Sequence, residues 1–355
     1  MVVFHKKRVS MAEQMEASRE TVLVDLALQG GGSHGAFTWG VLDRLLEEPW
    51  LKIDAISGTS AGAMNAAILV SGYIQGGAQG ARKALDAYWE RVAATARFSP
   101  IQRSAFDRLM NRWSLDTSPA YMIMDLMSRL ISPYDLNPFG HNPIRSILED
   151  SIDFAHLNEA PIKLFITATN VHTGRGRIFR NSEITPEVLL ASACLPTLFQ
   201  AIEIDGEPYW DGGYAGNPTI SPLVRESNAT DIILVQINPR ERRDTPRSAS
   251  EILNRLNEIS FNAPLRKELR MIALLREAAD PGTGEGCRWA RMRTHRILTD
   301  KLADFGASSK LNAEAPFLHM LKDEGRKTAE EFLKSHGADV GKRATADIDV
   351  LLAEC

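Results

Sequence analysis

Runs of apolar residues recur along the chain, and their period changes in a repeating order. Thr21 to Leu28 is mostly apolar and β-branched at its start, the pattern of a buried strand. Ala36 to Glu48 then places Phe37, Val41, Leu42, Leu45 and Leu46 at helical spacing, and Pro49 ends that helix. Ile53 to Ser57 is a second short apolar run, and a small-residue helix pattern begins after Ser60. Strands return at Lys163–Thr169, with Arg177–Arg180 as an antiparallel partner across a turn at 172–176. A helix is predicted from Pro186 to Ala193, and Phe199–Trp210 alternates toward a hairpin around Asp205-Gly206. Asp231–Ile237 is another buried strand. Strand and helix alternate too regularly for an all-α or all-β protein. The pattern predicts a three-layer α/β/α sandwich with a mostly parallel central sheet.

Two stretches break that rhythm. Gly72 to Gly80 reads as a glycine-rich interruption, and 81–159 reads as a helical insertion without strand alternation. Helices are expected over 81–97 and 102–113, from Ser118-Pro119 to about Leu130, and from Asn142-Pro143, with proline at the first helical position. Tyr121, Met122, Ile123, Met124, Leu126, Met127, Leu130 and Ile131 make the third of these greasy. It reads as a helix packed in the core, with a lid or acyl-chain groove as the alternative. Beyond Arg240–Arg247, a long amphipathic helical region at 250–279 is expected to break near Pro264. A loop at 281–284, a last strand at Arg291–Leu298 and a helical tail from Leu311 complete the chain, and the arginines at 288–296 read as a solvated strand edge. The resulting division is a flexible leader over 1–20, a catalytic core over 21–240 and a mostly helical extension over 241–355 packed on it.

Composition narrows the function classes. The 355 residues are 44% hydrophobic and 24% charged, ordinary for a globular protein. A formal net charge of -4 argues against nucleic-acid binding. Cys194, Cys287 and Cys355 are scattered, with neither a disulfide framework nor metal-ligand spacing, so no metal or cofactor is expected. No run approaches 18 uninterrupted apolar residues, and 1–20 lacks the apolar centre of a secretory signal. The expected location is cytoplasmic, with peripheral visits to a membrane allowed.

The chemistry lies between the first strands and helices. Gly58-Thr59-Ser60-Ala61-Gly62 fits the G-x-S-x-G nucleophile elbow, where a tight strand-to-helix turn holds the serine hydroxyl above the sheet. Both glycines are needed because the turn leaves no room for bulk beside the nucleophile. Upstream, Gly30-Gly31-Gly32-Ser33-His34-Gly35 follows the first strand, and successive glycines let backbone N–H groups converge on one anionic oxygen. Such a loop cradles a phosphate or forms an oxyanion hole, and the elbow on the next strand favours the second use.

Those two motifs, followed by Asp211-Gly212-Gly213, resemble the three signature blocks of the patatin-like phospholipases in order and approximate separation. The resemblance extends from about Val22 to Pro239. It implies lipid acyl-ester hydrolysis by a dyad in which Ser60 is the nucleophile and Asp211 its base. The oxyanion hole would comprise Gly30, Gly31, Gly32 and Ser33, with His34, Gly35, Gly58, Gly62, Gly212 and Gly213 supporting the motifs. His34 stands where the family usually has Arg or Lys. The implied partner is a lipid or ester substrate at a membrane or micelle surface. Rival readings are a phosphate-binding protein using the Gly30–Gly35 loop and a non-catalytic, membrane-recruited scaffold. An α/β-hydrolase triad is a further alternative, because Ser60, Asp211 and His295 follow that fold's chain order.

Overall fold

The computed structural model describes residues 19–350 apart from 111, 240, 243 and 279–282. Most of the expected leader, half of the 281–284 loop and Cys355 therefore lie outside the described residues. Eight strands form one mixed sheet: β1 (Val22–Leu28), β2 (Leu51–Gly58), β3 (Lys163–Asn170), β4 (Gly176–Arg180), β5 (Ile202–Ile204), β6 (Glu207–Asp211), β7 (Asp231–Val235) and β8 (Arg293–Ile297). Their order is β5-β6-β3-β2-β1-β7-β8, with β4 also paired to β3. Pairs β3-β2, β2-β1, β1-β7 and β7-β8 are parallel, while β4 and the β5-β6 hairpin add antiparallel strands beside β3.

The period of two sorts the strand residues into two cores. Leu26, Leu28, Ile56, Leu164, Ile166, Ile233 and Val235 enter one cluster, and the interleaved Ala27, Ala55, Phe165, Ile232 and Leu234 enter the other. A strand buried on both faces needs apolar residues at every position, which is why these segments read as continuous runs. The first cluster is covered by helices α1 (Gly35–Leu45) and α2 (Ala61–Ala96) and by Phe317, Leu318 and Leu321 of a C-terminal helix. The second is covered by Leu223 and Val224 and by Leu265, Leu269 and Ile272 of the helix Ala249–Glu277.

The structure differs from the sequence reading in several places. The expected glycine break is present but narrow: Gly76 and Gly77 leave helical geometry and divide α2 into two helices at a kink. Pro264 lies inside a single helix, Ala249–Glu277. One proline removes one backbone bond, and packing along the remaining turns keeps the helix whole. The last strand and the helical tail form as expected, β8 joining the main sheet beside β7 and the helix Ala315–His336 crossing α1 closely. Side chains at Gly40 or Gly325 would collide with the partner helix's backbone. On β8, Arg293 turns onto Asp231 rather than into water. Among the described residues no helix is long and apolar enough to cross a membrane.

Register places the chemistry. β2 pairs with β3 up to Gly58 opposite Ile166, and β6 pairs with β3 from the other direction, ending with Asp211 opposite Ala168. β4 pairs with Phe165 to Thr169 and so occupies the opposite edge of β3. β2 and β6 therefore share one edge and point at each other across a gap of one residue. The chain leaving Gly58 must meet Asp211.

Candidate active site

β1 and β2, paired past a register shift at Val24/Asp25, end with Leu28 opposite Gly58, so the glycine loop and the elbow leave the sheet side by side. Ser60 has φ 55° and ψ −124°, a conformation that costs a non-glycine residue about 1–3 kcal/mol and persists only when its surroundings hold it. Several bonds hold it here. The Ser60 N–H donates to Ser192 Oγ (2.9 Å), and the Ser192 hydroxyl donates to Thr167 O (2.7 Å). The Thr59 hydroxyl donates to Gly216 O (2.7 Å). A Cβ on Gly30 would lie 2.6 Å from Ser60 Cβ, and side chains at Gly58 or Gly62 would strike backbone. These glycines are required by contact.

Asp211 is 2% exposed, and its carboxyl group lies within interaction range of the Ser60 hydroxyl. Its N–H donates to Cys194 O (2.8 Å), its C=O accepts from the Thr169 hydroxyl (2.8 Å), and Gly213 N–H donates to Oδ1 (2.7 Å). A side chain at Gly212 would collide with Thr167 O. Burial pushes the Asp211 carboxyl up to about 7, against the pull of the Gly213 N–H, the Ser60 hydroxyl and the Lys310 cation. A carboxylate with that affinity for a proton can accept one from a serine near neutral pH.

The glycine loop enters the turn Gly32–His34 and then α1. Gly30 was expected among the oxyanion donors, but its N–H already donates to Asn217 Oδ1 (2.7 Å). The turn's own bonding begins with His34 N–H to Gly31 O (3.3 Å), so the N–H groups of Gly31, Gly32 and Ser33 precede it. Gly32 has φ +58° and is backed by the carbonyl of Lys310, while Gly35 packs its Cα against Ala61 at the elbow. His34 is buried, with Nε2 at 2.7 Å from Ser309 Oγ and its ring edge-on to Phe305 and Phe317. Burial, followed by the Lys310 and Arg242 charges, pushes its imidazole down to about 3. It is neutral, and it does not replace the family's loop cation.

Sequence reasoning missed the polar cradle beneath this loop. Gln29 Oε1 accepts from the N–H groups of Ile237 and Asn238 (both 3.0 Å), and Gln29 Nε2 donates to Asn217 O (3.1 Å). Asn238 Nδ2 donates to Gly30 O (2.7 Å), and Lys310 Nζ donates to Asn238 Oδ1 (2.8 Å). Asn217, six residues beyond Asp211, was within reach of a motif-based reading. Lys310 was not, because it lies in the segment assigned outside the motif core.

The alternative histidines are engaged elsewhere. His295 places Nε2 on Asp231 Oδ1 and Nδ1 on Thr345 Oγ1, both at 2.9 Å, and His172 is an exposed partner of Glu207. With both ring nitrogens occupied at the start of β7, His295 does not complete a triad. Among the described residues, no group of three or more His, Cys, Asp or Glu side chains is arranged to hold a metal ion.

Helix α3 (Pro119–Leu130) forms as expected but contains no buried residue. Met122, Ile123, Leu126 and Leu130 are each more than half exposed, which overturns core packing. The chain on either side of α3 is anchored. Trp113 stacks on Phe317 and Leu115 N–H donates to Ser308 Oγ (2.9 Å), close in sequence to Lys310. At the other end, Ala201 N–H donates to Tyr134 Oη (3.3 Å) and Gln200 Nε2 to Asn137 O (2.7 Å), while Gln200 O accepts from Cys194 Sγ (3.0 Å). One foot thus stands beside the glycine loop's backing segment and the other beside Asp211's backbone partner.

Comparison with known proteins gives the same region. The chain is 23% identical over 327 residues to lysophospholipase NTE1 of Mycosarcoma maydis, covering 89% of this chain and 15% of that protein. It is 25% identical over 323 residues to lysophospholipase NTE1 of Coccidioides immitis, covering 85% and 18%. It therefore spans less than a fifth of these relatives' length. Among solved structures, VipD from Legionella pneumophila aligns with a TM-score of 0.41 at 16% identity, over 90% of this chain and 67% of that one. ExoU of Pseudomonas aeruginosa, in complex with SpcU, aligns with a TM-score of 0.30 at 18% identity, over 89% and 53%. The patatin-like phospholipase family model matches residues 26–224, more than half of the sequence and all three motif blocks, so the chain belongs to the patatin-like phospholipase family.

Proposed function

We propose that the chain hydrolyses acyl esters of lipids, such as phospholipids or lysophospholipids, through a Ser60–Asp211 dyad. The observation that carries this reading is the strained elbow serine, Ser60, set against a buried aspartate whose carboxyl is pushed up to about 7. Asp211 takes the proton as Ser60 Oγ bonds to the ester carbonyl carbon. The carbonyl oxygen becomes an oxyanion held by N–H groups of Gly31, Gly32 and Ser33. Collapse expels the alcohol with the proton from Asp211, leaving an acyl-serine. Asp211 then deprotonates a water, which releases the fatty acid and regenerates Ser60. Preference for an aggregated substrate follows from α3, whose exposed apolar residues would meet a membrane or micelle surface.

The test pairs a fluorophosphonate label with a panel of lipid esters. Wild-type protein should be labelled at Ser60 and release fatty acid, and Ser60→Ala should do neither. Labelling at another residue, or turnover retained within about tenfold in Ser60→Ala, overturns the assignment.

A further inference from the structure

The peptide group joining Gly30 to Gly31 has its two ends in different environments. Its N–H, on Gly31, is one of the proposed oxyanion donors. Its C=O, on Gly30, accepts from Asn238 Nδ2 at 2.7 Å, and Asn238 Oδ1 accepts from Lys310 Nζ at 2.8 Å. The amide orientation is forced, because an ammonium can only donate and must face the amide oxygen. Asn238 is itself fixed, its N–H held by Gln29 Oε1 at 3.0 Å. A cation, an amide and a peptide therefore stand in series, ending at a donor aimed at the reacting oxygen.

We propose that Lys310 is a positioning residue that supplies the oxyanion hole's positive charge through Asn238. The inference rests on the dyad reading and adds to it a part contributed by the C-terminal extension. Each bond in such a chain polarises the next. The ammonium draws electron density from the Asn238 oxygen, making Nδ2 a stronger donor to Gly30 O. That in turn makes the Gly31 N–H a stronger donor to developing negative charge. The carbonyl of Lys310 also backs Gly32, so one residue both props the loop and charges it. His34, neutral in its apolar pocket, leaves this role open.

The charged groups around the relay predict its pH signature. Burial lowers the Lys310 ammonium below its ordinary 10.5, Glu258 and Asp211 raise it, and Arg242 lowers it. Asp211 faces Lys310 as well, and Cys194 and Tyr214 near it are both pushed up to about 12. His34 at about 3 is already neutral where the enzyme works. Lys310 is the group of this cluster whose ammonium is weakened by burial toward the working range.

The experiment is kcat and kcat/KM for a soluble short-chain ester against pH, in wild type, Lys310→Met, Lys310→Arg, Asn238→Ala and the double variant. Wild type should show an alkaline limb below 10.5 that Lys310→Arg moves out of range. Lys310→Met should lower kcat by about 10–100-fold, below the full loss of an oxyanion donor, with little change in KM. It should also move the acid limb upward by about one unit, the low end of the effect of a lost opposite charge. Asn238→Ala should cost a similar factor, and the double variant should cost little more than either single one. Additive losses, or an alkaline limb unmoved in Lys310→Arg, overturn the relay. If Lys310→Met does not fold, the wild-type and Lys310→Arg profiles still decide. Turnover surviving in Ser60→Ala overturns the dyad beneath it, whereas unshifted Lys310 profiles with Ser60→Ala inactive overturn the relay alone.

Discussion

Two buried aspartates, one at each end of the sheet's strands, show that burial alone does not set a carboxyl group's affinity for a proton. Asp211 closes β6 at the end where the elbow leaves the sheet, and Asp231 opens β7 at the other. Both are nearly inaccessible to water. Burial alone would raise both, but Asp231 accepts from His295 (2.9 Å), Arg293 (2.6 Å) and Gly341 N–H (2.8 Å), which hold its carboxyl well below the usual range. Asp211 has the Ser60 hydroxyl, one glycine N–H and a cation that is hydrogen-bonded to Asn238 rather than to it, and it stays near neutrality. The Asp231–His295 pair has the components of two-thirds of a triad and performs a structural task. The difference is a directly bound cation, Arg293, and the further donors beside it.

The largest expected effect separates the two sites by what they damage. Asp211→Asn should lower kcat by about 10⁴-fold or more, as loss of a catalytic base does in related chemistry, yet leave a folded protein. The sign of its stability effect follows from linkage. A carboxyl raised in the folded state binds more protons there than in the unfolded chain. Its ionisation therefore destabilises the fold as pH rises from the unfolded value of about 3.9 through about 7. Asp211→Asn should thus melt at or above wild type at pH 8, and a clear fall in melting temperature would contradict it.

Asp231→Asn should do the reverse. It leaves Arg293 and His295 without their carboxylate and should cost about 3–5 kcal/mol of stability, the range for breaking a buried pair. Per folded molecule it should retain turnover. A lowered carboxyl contributes stability above the unfolded pKa of about 3.9 that is lost as pH falls below it, and denaturant melts at pH 7 and pH 3 should differ accordingly. Equal stability of variant and wild type at pH 7 would remove the contrast. His295→Gln belongs to the same site, and its kcat/KM should stay within a few-fold of wild type once folded.

A smaller effect concerns α3. Leu126→Asp or Ile123→Asp should reduce hydrolysis of vesicle-borne lipid about tenfold while sparing a monomeric ester, since one apolar side chain at an interface contributes about 1.5–3 kcal/mol. Equal losses on both substrates would assign α3 to the catalytic fold instead. The smallest effect is relief of the elbow's strain. Ser60→Gly should be inactive but more stable by about 1 kcal/mol, read from the denaturant midpoint.

How much of this was legible in the sequence depended on the range of the interaction. Strands β1, β2, β3 and β7 were readable because two-sided burial makes each a local apolar run. The elbow and glycine loop were readable because close backbone approach leaves a mark in neighbouring residues. Gly30 misled for a related reason: a glycine run shows where donors can converge, not which of them Asn217 already occupies. Helix α3 misled because Met122, Leu126 and Leu130 have the same spacing whether the stripe meets a core or faces outward. Lys310 and Asn238 left no local sign, because their meaning comes from contacts made across the fold. The opposite fates of Asp211 and Asp231 were likewise invisible, since they turn on groups distant in sequence: Ser60 and Lys310 around Asp211, and Arg293, His295 and Gly341 around Asp231.

The central claim is that Asp211 alone activates Ser60. The most direct test is the rate of fluorophosphonate labelling of Ser60 between pH 5 and 9 in wild type and Asp211→Asn. The account predicts a wild-type rate that rises through a single limb near 7, and a slow, pH-independent rate in Asp211→Asn. The same limb persisting in Asp211→Asn would show that another group takes the serine's proton, and the dyad would be wrong.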